Sequence, residues 1–95
     1  MAYTGTPYRP GTTQVASYTS TAGVITNPVG AGITCVRVVL TTAGHIAIGA
    51  APTATTSNVY MPAGIPEYFQ VREGEKVSAI QVASGGNLHV TEMTR

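Results

Sequence analysis

Residues 34–50 read TCVRVVLTTAGHIAIGA. The first part alternates. Val36, Val38 and Leu40 fall on one side of an extended chain, and Cys35, Arg37 and Val39 on the other. A short turn at Thr42-Ala43-Gly44 follows, and then Ile46 and Ile48 alternate with His45 and Ala47. A period of two, β-branched side chains and a glycine-containing turn predict two half-buried strands.

The same pattern continues downstream. APTATTSN (51–58) is a polar loop whose hydroxyls can bond nearby backbone. NVYM (58–61) is a short strand, and PAGIP (62–66) a bend in which Gly64 is free to take a positive φ. EYFQVR (67–72) turns Phe69 and Val71 inward against Tyr68, Gln70 and Arg72. Glu73-Gly74 reads as a tight hairpin turn. KVSAIQVA (76–83) is the next strand, and its broken alternation near Ala79-Ile80 predicts a bulge or burial of both faces. SGGN (84–87) is a second hairpin turn, and LHVTEM (88–93) closes the chain with Leu88 and Val90 inward. Helix signals are nearly absent, since Gly and Pro recur at short intervals. The expected fold is all-β: a small antiparallel β-sandwich, jelly-roll-like, with an extended N-terminal arm. The strand order itself, jelly roll or simpler sandwich, stays open at this point.

The N-terminal third has a different texture. It carries Pro7, Pro10 and Pro28 among many glycines and hydroxyl residues, with Tyr3, Tyr8 and Tyr18. TTQVASYTST (12–21) and AGVIT (22–26) are candidate strands. The expectation is an arm over residues 1–32 with one or two short strands, ordering against a neighbouring subunit, and a compact sandwich over 33–95.

Composition narrows the function classes. A chain of 95 residues makes one small domain with a limited core. Its single cysteine, Cys35, allows no intrachain disulfide and belongs to no zinc-ligand spacing. Oligomerisation is then the expected source of extra stability. Only 9% of residues are charged and the net charge is +1, so there is no broad basic field for nucleic acid. The most apolar run, GITCVRVVL (32–40), is too short for a membrane span and contains Arg37. The N-terminus lacks a signal-peptide pattern, and synthesis in a reducing cytoplasm is expected.

Three constellations could carry chemistry. Glu67, Glu73 and Glu75 would need to converge in a pocket to act as an acid/base pair, yet two of them flank a turn glycine, where charges face water. Cys35, His45 and His89 would need a thiolate next to a base, and Cys35 lies in a valine-rich strand that favours an inert buried thiol. The glycine-rich piece GAGITC (30–35) does not have the spacing of a phosphate loop, and no GxSxG elbow occurs. The tyrosines have no interleaved basic residues for a nucleic-acid platform and fit a protein interface better. The candidate interface set is Tyr3, Tyr8, Arg9, Tyr18, Tyr60 and Tyr68. Neither enzymatic activity nor a cofactor is expected.

From His45 onward the chain resembles small virion proteins of tailed bacteriophages. The resemblance rests on a strand ending in Ile48-Gly49, on Pro52-Thr53-Ala54, on the Tyr60-Met61-Pro62-Ala63-Gly64 bend and on Tyr68-Phe69. Gly74-Glu75-Lys76-Val77 and the terminal Val90-Thr91-Glu92-Met93 complete it. It covers about half the chain, and the N-terminal arm lies outside it. Such proteins are structural: capsid decoration or cement proteins, head-fibre bases, and neck or tail components. The resemblance implies a place on the outer surface of the capsid, the major capsid protein as partner, and self-association, with a homotrimer favoured over a homodimer. It implies no nucleic-acid or membrane partner and supplies no catalytic residues.

Overall fold

The computed structural model describes residues 8–94, which contain eight strands and no helix. They are β1 (Arg9–Tyr18), β2 (Gly23–Val24), β3 (Cys35–Leu40), β4 (Gly44–Gly49), β5 (Val59–Met61), β6 (Glu67–Gln70), β7 (Lys76–Gln81) and β8 (Gly86–Thr94). They form two four-stranded sheets, ordered β1-β8-β3-β6 and β2-β7-β4-β5, with every pairing antiparallel. The six strands expected beyond residue 33 are all present.

The alternation read from the sequence decides which side chains meet between the sheets. Val36, Val38 and Leu40 of β3, with Leu88 and Val90 of β8, face Ile46, Met61, Val77 and Ala79 of the second sheet. At about 25 cal/mol per Å² of apolar surface removed from water, this shared layer is the main source of stability. Tyr18, Ile25 and Val29 belong to the same core. The boundary expected at 32/33 therefore falls inside the sandwich. β1 pairs along β8 from Arg9↔Thr94 to Tyr18↔Gly86 as the edge strand of the first sheet.

The three turns read as local features exist, but they do not make hairpins. The chain passes from β3 to β4, from β6 to β7 and from β7 to β8 by crossing from one sheet to the other. Of the seven connections only β4 to β5 stays within a sheet. A tight turn has the same residue preferences whether its strands pair or face each other across a core, so turn chemistry alone cannot choose. Gly74, at φ 87°, gives its N–H to the carbonyl of Val29 at 3.1 Å, and Val82 gives its N–H to Ala43 at 3.1 Å. The crossing at β3–β4 requires Gly44. A Cβ there would lie 2.6 Å from the carbonyl oxygen of Ile80 and 2.9 Å from Leu40 Cδ1.

Of the two outcomes expected for 76–83, the strand shows burial of both faces. Val77 and Ala79 enter the core, while Ser78 on the opposite face is covered by the 50–58 loop. The Ser78 hydroxyl accepts from the N–H of Ala54 at 3.0 Å and donates to the carbonyl of Gly23 at 2.8 Å. Pairing with β4 runs without interruption, and the bulge lies in β1, between Pro10 and Thr13.

The two long sides of the sandwich differ. On the β1/β2 side Gln14 clasps Asn27: its Nε2 donates to the Asn27 carbonyl at 2.8 Å, and its Oε1 accepts the Asn27 N–H at 2.9 Å. On the β5/β6 side a depression of about 410 Å³ opens between the edges, with Ile48, Val59 and Phe69 among its walls.

Candidate interaction surface

The outer face of the β1-β8-β3-β6 sheet is built in register rows. Val15, His89 and Val39 form one row. Thr13, Thr91, Arg37 and Tyr68 form the next, and Pro10, Met93, Cys35 and Gln70 the third. These are the residues alternating with the core set, so their outward position follows from the burial of Val36, Val38, Leu88 and Val90. Thr13 and Thr91 join their hydroxyls at 2.9 Å across β1 and β8. Around them lies a shallow depression of about 410 Å³ that also includes Arg37, Val39 and His89.

The face mixes apolar and cationic groups. Val15 is 57% exposed and Tyr68 58%, each on an edge strand. Arg37 is half-buried on the central strand β3 and makes no ion pair or side-chain hydrogen bond with the other described residues. None of the four glutamates lies on this face. Glu92 turns its Oε2 to the N–H of Gly30 at 3.0 Å. Glu75 accepts the N–H of Arg72 at 2.8 Å and closes the turn at Gly74. Glu73 is exposed in that turn, and Glu67, opposite Val38, alternates to the inner side of β6.

The structure separates the residues expected to form an interface. Tyr8, exposed by 40%, and Tyr68 line one depression of about 310 Å³ beside Cys35. Arg9 opens β1 opposite Thr94 at the same end of the sheet and is exposed. Tyr60 stands on the outer face of the other sheet, 54% exposed, edge-on to the ring of His45 at 5.7 Å. Tyr3 lies outside the described residues. Tyr18 is a correction. It is only 2% exposed, because its position at the end of β1 aims the ring into the core. Its hydroxyl donates to the Thr42 carbonyl at 2.5 Å and accepts the Thr42 N–H at 3.1 Å, which leaves nothing to offer a partner.

Sequence reasoning did not single out Val15, Val39 or Arg37 as members of one surface. Val39 and Arg37 had a signal, the outward half of the β3 alternation. Val15 had none, since its membership depends on β1 lying beside β8.

Catalytic constellations are not assembled. Cys35 and His89 share the outer face, but His89 is opposite Val39 and Cys35 opposite Met93. That is four residues along the strand, roughly 13 Å. His45 is on the other sheet, where its Nδ1 donates to the Asn58 carbonyl at 2.9 Å. Burial pushes the Cys35 thiol above its ordinary pKa, which holds it in the unreactive protonated form. Among the described residues no three His, Cys, Asp or Glu side chains gather as a metal site.

The opposite sheet presents a less open surface. The 50–58 loop covers Ser78, with Ala54 buried against it, and Asn58 ties the loop by accepting the Thr55 N–H at 2.7 Å. On the outer face of the β1-β8-β3-β6 sheet the edge-strand side chains Val15 and Tyr68 are exposed, while Thr91 and Met93 on the central strand β8 are buried. Compared with protein-family models, curated proteins and solved structures, the chain matches none.

Proposed function

We propose that this chain is a non-enzymatic structural protein of a tailed-bacteriophage virion. In this reading it is a capsid decoration protein, made in the host cytoplasm, that binds the major capsid protein from outside and reinforces the head as a homotrimer. The observation that carries the reading is the outer face of the β1-β8-β3-β6 sheet, where exposed Val15 and Tyr68 and half-buried Val39 lie around Arg37 on a chain with so few charges. Exposed apolar and aromatic side chains grouped around an arginine suit a protein contact. A small sandwich docked on a larger assembly gains stability by mass action, which suits a core of this size.

The reading includes a jelly roll as the fold. It is supported by the order β1-β8-β3-β6 facing β2-β7-β4-β5, the order that results when an antiparallel ribbon of strand pairs wraps around one core. Jelly rolls recur in viral capsid and lectin domains, an analogy of fold that does not by itself give function. A carbohydrate-binding module fits less well. Such a module needs an exposed aromatic platform, and the two exposed rings Tyr60 and Tyr68 stand on opposite outer faces. A neck or tail adaptor, or the base of a head fibre, shares the same surface logic and differs in copy number.

Quantitative mass spectrometry of purified virions tests the proposal. Hundreds of copies in fixed ratio to the major capsid protein are expected. About a dozen or fewer would move the chain to the neck or tail, where cyclic symmetry sets the count. Absence from the particle would refute the structural reading.

A further inference from the structure

We infer that the outer face of the β1-β8-β3-β6 sheet docks, through Arg37, on a carboxylate-bearing and partly apolar surface of a different protein. The inference rests on the virion reading, under which that surface belongs to the capsid shell. It adds which face is used and what chemistry meets it.

Arg37 is the centre of the argument. Its guanidinium is cationic, with donors directed along a rigid fork. On the half-buried surface of β3 it has no carboxylate beside it among the described residues, and its neighbours in register are Thr91 and Tyr68. An arginine set among apolar and hydroxyl groups matches a carboxylate bidentately once the site is covered and dried. His89 and Val15, one row away, keep the surroundings free of negative charge. The face is complementary to an acidic surface and to no cationic one.

A second copy of the chain does not supply that surface. Pairing this face with itself about a twofold axis would bring no glutamate to Arg37, since none lies on the face. A ring would need an acidic patch elsewhere on the chain. Glu67 is half-buried on the inner side of β6, and Glu75 and Glu92 already accept backbone N–H groups. Glu73 stands between Arg72 and Lys76, so the charges of that turn cancel. Nucleic acid fits poorly as well, because a phosphate backbone needs several cations in a track, and apolar Val15 and Val39 occupy the row beside Arg37.

The sheet face spans roughly four strands at 4.8 Å by about five residues at 3.4 Å, below the ~800 Å² that each partner buries in a standard complex. With so little area the ionic contact controls affinity, and reversing its sign has a large effect.

The test is co-sedimentation of purified protein with particles of the encoding phage assembled without it. Wild type is expected to bind and to be released progressively by NaCl. Arg37→Glu should weaken binding at least tenfold, and Arg37→Lys less. Val15→Glu, at an exposed position that does not disturb the core, should give a similar loss. Tyr60→Ala, on the opposite sheet, should stay within twofold of wild type. Circular dichroism confirms that each variant keeps its thermal transition. Binding of both Arg37→Glu and Val15→Glu within twofold of wild type overturns the face assignment and leaves the virion reading intact. Salt-independent binding of wild type removes the ionic contact. Arg37-dependent retention on single-stranded DNA with none on particles assigns the face to nucleic acid and overturns the inference. Failure of wild type to bind, together with its absence from natural virions, overturns the virion reading and this inference with it.

Discussion

Tyr18→Phe isolates the contact that fastens the N-terminal strand to the rest of the sandwich. The ring stays in the core, so buried apolar area is unchanged. What disappears is the hydroxyl that donates to the Thr42 carbonyl at 2.5 Å and accepts the Thr42 N–H at 3.1 Å. Thr42 is itself tied to the β7–β8 connection, through its hydroxyl to the Ser84 carbonyl at 2.9 Å. Each neutral hydrogen bond contributes about 0.5–1.5 kcal/mol net, and a buried group left unpaired costs about 1–3. Thr42 is half-buried, so water recovers part of the loss, and the expected cost is about 1–2 kcal/mol. In a domain of this length each kcal/mol corresponds to about 4–8 °C in Tm, which gives a drop of about 4–16 °C. The assay is thermal and urea unfolding by circular dichroism at several protein concentrations, because self-association would make Tm concentration-dependent. Tyr60→Phe serves as control, with an exposed hydroxyl and an expected change within about 0.5 kcal/mol. A Tyr18→Phe protein whose Tm lies within about 2 °C of wild type, with unchanged urea m-value, would refute the reasoning that this hydroxyl fastens β1 to the sandwich.

Two further outcomes are expected. Gly44→Ala puts a methyl against the Ile80 carbonyl and Leu40, and should lower the urea midpoint by the equivalent of about 1–3 kcal/mol, whereas Gly49→Ala, where nothing lies within 4 Å, should change it little. The raised pKa of Cys35 means that at a given pH the native chain holds less thiolate than the unfolded chain. Ellman's reagent should therefore react more slowly with native protein at pH 8 than with protein in urea, and equal rates would contradict the burial of the thiol.

Much of the outward geography was legible along single strands. The alternation of 35–40 and 45–48 assigned Val36, Val38, Leu40 and Ile46 to the core, and that of 67–72 exposed Tyr68 beside inward Phe69. Gly64 takes its expected positive φ of 73°. The Glu73-Gly74-Glu75 segment is the charged turn it resembled, and Glu75 closes it by accepting the Arg72 N–H. These features depend on residues within a few positions of one another, where side-chain period and turn chemistry act directly.

The sequence by itself determined that this is an all-β chain with alternating strands, short turns and too few charges for a basic nucleic-acid surface. Only the tertiary structure decided which strands are neighbours. It placed β1 beside β8, drew Tyr18 from the expected interface into the core, sent three turns across the sandwich, and set Val15, Arg37 and Tyr68 on one face. The reason is range. A strand's period says which residues share a side but not what lies across from them, and that choice belongs to the packing of all eight strands around one core.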